Sequence, residues 1–242
     1  MVLIWIFLSV QDIHVEPRAE AGAIWIDGIV RFDERPLRGD RLDVRDDLGW
    51  TRPAFLPGAG VDVSIDRHVL GVSLQATRFD GHAEFDAPAT WNETVFAAGD
   101  RVRTELQIFD SRVDYRYWIV DESGLRFAAG LSGRYVRMHL ELGDDDDNLG
   151  AFVPELEVRA GWQFVPGFSA ETRLAGFAYS ASNLRARSAS ARLGLRWQAS
   201  PSFAAALSLE AGLFHVISSG GIQRNEVDLR SVAPFLSAEL RF

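Results

Sequence analysis

Four short constellations in this chain hold residue types that could do chemistry. Asp144, Asp145, Asp146 and Asp147 form an acidic run just after His139 and Glu141, which share one face of an alternating segment. Carboxylate oxygens are the ligands hard cations take, so the run is the candidate metal site, for weakly bound Ca²⁺ or Mg²⁺. It lacks the glycine and glutamate placement of a preformed calcium loop, and an acidic run is more often simply solvated. Asp80-Gly81-His82 sets an acid beside an imidazole, the pairing a hydrolase uses to activate water. His215 and Ser218 offer a base and a hydroxyl nucleophile. Both sets are incomplete: no second Asp pair accompanies Asp80 and His82 at matching positions, and the spacing of His215 and Ser218 and the residues that follow differ from the His and Ser motif they suggest. The chain has no cysteine, which removes disulfides, thiolate metal sites and cysteine nucleophiles. No catalytic residue and no cofactor is assigned, so the expectation is a protein that is not an enzyme.

What positions these residues is a pattern of strands. The 242 residues are 47% hydrophobic with a formal charge of −9, and no apolar run approaches the roughly 20 residues a membrane-spanning helix needs. Any membrane span must therefore be a β-strand. The acidic balance argues against a nucleic-acid partner. All 25 basic residues are arginine, as a GC-rich genome would give, and as buried ion-pair networks prefer.

Period-two alternation dominates after residue 20, broken by Gly, Pro, Asp and Ser clusters. Ten stretches result: 22–33, 54–66, 68–79, 101–120, 124–143, 149–165, 167–180, 184–199, 202–217 and 231–242. Their connections alternate in length. Asp66-Arg67-His68, residues 121–124, Pro166-Gly167 and Ser200-Pro201-Ser202 are tight turns, whereas the segments around Asp46-Asp47-Leu48-Gly49, residues 80–100, the acidic run and residues 218–230 are loops. Long loops on one edge and tight turns on the other mark an all-β, antiparallel, up-and-down transmembrane β-barrel. Ten strands are expected, with eight as the alternative. Residues 1–21 read as an atypical leader. The apolar stretch from Met1 to Leu8 and the small-x-small Ala19-Glu20-Ala21 fit a secretory signal, but no positive region precedes them. A short N-terminal strand or plug is the other reading, and residues 22–242 form the barrel.

Each stretch has one apolar and one charged face. Aromatics decide which looks outward: Tyr117, Phe127, Trp162, Phe164, Phe168, Trp197, Phe203 and Phe242 cluster near the tight-turn ends, as an interfacial girdle would. The charged face then lines the lumen, with Asp27, Arg31, Asp62, Arg112, Asp114, Arg116, Arg126, Glu155, Glu157, Arg159, Glu171, Arg173, Arg192, Arg196, Glu210, Glu239 and Arg241. Eight-stranded barrels are just filled by side chains, so these charges are expected to pair and plug the interior. Residues 101–120 and 124–143 each switch the parity of their apolar positions once. A bulge would do this, as would strands that leave the bilayer.

On these features the chain resembles a family of small, functionally uncharacterised outer-membrane β-barrel proteins of Gram-negative bacteria. The residues that carry the likeness are Asp46-Asp47-Leu48-Gly49, Arg67-His68, the stretch from Val95 to Val102 with Glu105, and Tyr115 and Tyr117. The alternating end from Leu236 to Phe242 is similar to the signal that the barrel-assembly machinery reads. Asp80-Gly81-His82 also resembles the Asp-His pair of omptin proteases, and His215 with Ser218 the His and Ser of lipid A deacylases. The resemblance implies the cell outer membrane, with its lipid and lipopolysaccharide and the assembly machinery as partners; it assigns no protein partner and no activity. The leading expectation is a structural or binding barrel with acidic exterior loops. A narrow channel for small solutes and an enzyme acting on lipid or peptide at the loop rim are the alternatives. Asp80, Glu84, Asp86, Glu93 and Asp100, with the acidic run, equal the whole formal charge. A strongly negative rim is expected, bridged to lipopolysaccharide by divalent cations.

Overall fold

Strands that alternate strictly for 12 to 22 residues expose an apolar row on one side and unpaired backbone on both edges. Closure removes the edges, and the chain does close. The computed structural model describes residues 13–33, 39–91, 94–122, 124–180, 184–220 and 223–242; the apolar stretch from Met1 to Leu8 lies outside them. The strands are β1 (Ile13–Arg31), β2 (Leu42–Asp43), β3 (Ala54–Ile65), β4 (His68–Glu84), β5 (Ala89–Trp91), β6 (Thr94–Phe96), β7 (Arg101–Glu122), β8 (Leu125–Leu142), β9 (Asp145–Val165), β10 (Phe168–Ser180), β11 (Leu184–Ser200), β12 (Phe203–Gly220) and β13 (Gln223–Leu240). Ten of them, β1, β3, β4 and β7 to β13, run antiparallel in chain order, and β13 pairs with β1 to close the ring. The short β2 adds to β1, and β5 and β6 form a separate hairpin.

The first strand begins earlier than expected. Ile13–Ala21, assigned from sequence to a leader, pairs with β3 from Ile13↔Ile65 and with β13 from Arg18↔Glu239. The alternation of Glu16, Arg18 and Glu20 with Val15, Pro17 and Ala19 already carried that signal.

Two loop-edge connections are also shorter than expected. Leu142 pairs with Asp145, so β8 and β9 meet in a tight turn at Gly143, whose φ is +65°. β12 and β13 extend to Gly220↔Gln223. Residues 145–147, 218–220 and 223–230, read as loop, are instead the upper parts of strands.

Those upper parts resolve the parity switch. In β8 the even-numbered residues face inward from Ala128 through Ser132 to Val136, Met138, Leu140 and Leu142, with no mid-strand bulge. What changes is the environment. Near the turn edge the wall is apolar outside and charged inside; near the loop edge Arg137 lies outside and Met138 inside. The strands have left the bilayer and enclose a water-excluding core, as a soluble barrel does.

Outward aromatics mark where the bilayer ends. All eight residues of the expected girdle are exposed on the turn side, with Phe168 stacked on Trp197 (centroids 6.4 Å apart). A second set, Trp25, Phe55, Phe109, Tyr135 and Phe152, is exposed toward the loop edge. On β9, Phe152 and Trp162 are about ten residues apart; at ~3.4 Å per residue and a tilt of ~40° this spans roughly 26 Å, the height of a barrel's apolar band.

Candidate functional site

The inner surface divides into two storeys. The lower one is a belt of alternating charges. Glu210 lies 3.9 Å from Arg192, which bridges to Glu20 at 2.9 Å. Glu20 pairs with Arg18 at 3.0 Å, and Arg18 approaches Asp62 at 4.0 Å. Arg116 joins Asp62 to Asp114. Arg159 reaches Asp114 at 3.9 Å and also pairs with Glu157, which binds Arg173 at 2.7 Å. Five acids and five arginines thus alternate from β12 round to β10. Arg192 crosses the lumen on the ring of Phe235, its guanidinium carbon 4.7 Å from the centroid.

Glu155 roofs this belt. Its side chain is fully buried, takes Arg112 Nη2 at 3.1 Å, and accepts hydrogen bonds from Ser188 (2.7 Å) and Ser132 (3.4 Å). Nearer the turn edge Arg196 pairs with Glu239 at 2.8 Å and lies 4.0 Å from Glu171, and Arg241 pairs with Glu16 at 3.3 Å. Arg126 stands at the turn-edge opening, 4.1 Å over Trp118 and paired with Asp121. A cavity of about 330 Å³ remains among the belt side chains and extends to His14, Asp66, Asp121 and Arg241 of the turn edge.

The structure therefore brings most of the expected lumen charges together and leaves two out. Asp27 is exposed on the outer wall, on the same face as Trp25, because β1 points its even-numbered residues inward. Arg31 is buried at the loop end in a bidentate pair with Asp33 (2.8 and 2.9 Å), apart from the belt. Glu16, Arg18 and Glu20 were missed because they sat in the segment read as a leader. Arg134, bonded to Asp110, was missed because the apparent parity switch placed it at a crossover.

The upper storey is apolar and filled. The chain between β1 and β3 folds into the barrel mouth, so Leu42, Val44, Leu48 and Trp50 pack with Trp91 and Phe96 of the hairpin and with Phe79, Leu106, Met138 and Phe214 of the wall. Phe32 and Trp91 lie 5.0 Å apart between centroids. One buried hydroxyl pins the inserted segment: Thr104 Oγ1 donates to the carbonyl of Leu48 (2.7 Å) and accepts from Trp50 Nε1 (3.0 Å). The approach requires glycine twice. Gly49 has φ +73°, and a Cβ on Gly81 would sit 2.5 Å from Leu48 O. Thr104→Val strands both partners, and about 1–3 kcal/mol is expected from each unsatisfied group. A lower urea midpoint and faster proteolysis after Arg45 should follow, with Thr104→Ser close to wild type; an unchanged midpoint would remove the pinning role.

The hydrolytic and metal candidates fall on the loop-side wall. Asp80 and His82 both lie on the outer face of β4. Arg78 donates to the Asp80 carboxylate, as does Arg103, and these bonds hold it below the usual carboxylate range. His215 sits 3.2 Å from Asp228, while Ser218, three residues on, falls on the opposite face of β12. Alternation likewise splits the acidic run, with Asp145 and Asp147 half-buried and Asp144 and Asp146 exposed. His139 bonds Glu141 at 3.0 Å and Asn148 at 3.2 Å. Among the described residues no three His, Asp or Glu side chains converge on a possible metal position. The negative rim is also weaker than expected, because Arg78, Arg101 and Arg103 pair with Asp80 and Glu84. Glu93 lies outside the described residues.

With this geometry the chain matches a solved structure across its length. It is similar to the outer-membrane protease OmpT of Escherichia coli, with 9% identity, a TM-score of 0.60, and 97% of this chain and 98% of that one covered. The fold is that of an outer-membrane β-barrel. Neisserial surface protein A (11% identity, TM-score 0.40, 95% and 97% covered) and Ail of Yersinia pestis (8%, 0.39, 96% and 100%) are also similar. No family model and no curated protein matches the sequence.

Proposed function

We propose that the protein is a closed, non-enzymatic barrel of the cell outer membrane with a structural or binding role. The observation that carries this is the sealed mouth: an apolar core pinned through Thr104 caps a lumen whose charges already pair with one another. The two aromatic rows and the lipid-facing leucines between them support residence among outer-membrane lipid and lipopolysaccharide. The outward row of Leu236 and Leu240 on the last strand, continued by Phe242 beyond it, fits a client of the barrel-assembly machinery.

The likeness to OmpT raises a proteolytic reading. Against it stands Asp80, whose carboxylate is tied to Arg78 and Arg103 on the outer wall, away from the mouth. Overproduction in a Gram-negative host tests the proposal. A heat-modifiable band in the outer-membrane fraction, with lipid A mass and a peptide library unchanged, is expected. A modified lipid A or a cleaved peptide that disappears with His82→Ala or His215→Ala would overturn it.

A further inference from the structure

Register places like charges face to face on the lumen wall. Arg173 of β10 stands directly opposite Arg159 of β9 and Arg192 of β11, so three inward guanidinium stalks share one row on three adjacent strands. Like charges directly opposed destabilise a sheet; Glu157 bridges Arg159 and Arg173, but among the described residues no carboxylate bridges Arg173 and Arg192. Arg159 and Arg192 each meet two carboxylates of the belt. Among the described residues Arg173, in the middle, meets only Glu157, through Nε; its side chain is 12% exposed, and Nη2 has no hydrogen-bond partner there.

The unmet polar atoms around the cavity are all of one kind. Arg112 Nε, Arg116 Nε and Arg173 Nη2 are buried without a hydrogen-bond partner, and no carboxylate oxygen lining the cavity is in that state among the described residues. A surplus consisting wholly of N–H donors calls for an acceptor. Guanidinium groups meet planar or tetrahedral oxyanions with paired, charge-assisted hydrogen bonds. The cavity of about 330 Å³ suits a small solute, and Gly161 in its wall leaves room for one.

We propose that the row Arg159, Arg173 and Arg192 is a binding site for a small solute bearing a carboxylate or phosphate group, entered from the turn edge. Arg173, which lines the cavity and stands in the middle of the row, is its central residue. The site deepens the binding role proposed above and rests on the closed lumen, since a through-channel would hold ions in transit.

Calorimetric titration of the refolded barrel with inorganic phosphate and, separately, with acetate tests it. Saturable heat is expected with at least one probe, and which one distinguishes the two chemistries. Arg173→Gln should weaken that binding at least tenfold. Gly161→Leu should do the same by filling the turn-edge entrance: a Cβ there meets nothing closer than 3.8 Å, and the atoms nearest to it belong to Arg126, Ala170 and Glu171, none of them in the arginine row. Arg78→Gln, on the outer wall, should bind as wild type does. Heat-modifiable migration confirms the fold of each variant, and Gly161→Leu decides alone if Arg173→Gln does not fold. No saturable heat with either probe, or full binding in the folded lumen variants, would leave the row as water-filled charge and overturn the proposal. A conductance measurement fails or succeeds separately, so loss of the closed lumen and loss of the site are distinguishable.

Discussion

Glu155→Leu should cost about 3–5 kcal/mol, the largest stability loss among single lumen changes. Removing one partner of a buried pair leaves the other charge without compensation. Here that charge is Arg112, whose Nη2 lies 3.1 Å from Glu155, with Arg134 3.9 Å away and two serine hydroxyls left without their acceptor. Urea unfolding of the barrel in lipid vesicles reads the loss. Adding Arg112→Met to the same chain should recover much of it, because a well-packed apolar pair often replaces a buried ion pair at little cost. A loss under about 1 kcal/mol for the single change would mean that water solvates Arg112, and that the lumen is wetter than its packing indicates.

Leu156→Arg should destabilise the protein by roughly 2–4 kcal/mol, the cost of a charge on the lipid face at the bilayer midplane. Leu156 is 67% exposed on the outer wall of β9, midway between Phe152 and Trp162. Depth is the discriminating variable. Phe152→Arg, at the outer aromatic row, should cost only ~0–1 kcal/mol for the charge itself. Equal costs at the two positions would mean that the exposed leucines do not face hydrocarbon.

Much of this was legible in the sequence because an alternating strand states its own faces. The outward set Ala189, Ala191, Leu193, Leu195 and Trp197 and the inward set Ser188, Ser190, Arg192 and Arg196 of β11 are read directly from period two, since a lipid face and a charged lumen leave no intermediate choice. The tight turns followed from their Pro, Gly and Asp residues. Asp66, with φ 52°, shows why Asp can stand there: its short side chain tolerates the left-handed conformation.

Hydropathy misleads where the solvent changes along a strand. Above the outer aromatic row, water replaces lipid outside and protein replaces charge inside, so Val136, Met138 and Leu140 point inward in a strand whose Leu125 and Leu131 point outward. No local signal marks the switch, since it depends on where the membrane ends and on the inserted segment that covers the mouth. Thr104 was silent for the same reason: its two partners lie more than 50 residues away in sequence, at Leu48 and Trp50. The belt was only partly visible, because pairing between strands three or more apart in the ring, such as Arg192 with Glu20, depends on barrel closure.

The most direct test of a sealed barrel is ion conductance across a planar lipid bilayer. The apolar core pinned through Thr104, together with the paired belt beneath it, should give no discrete current steps from the purified protein. Reproducible steps that scale with salt concentration would contradict a sealed lumen and make the protein a channel.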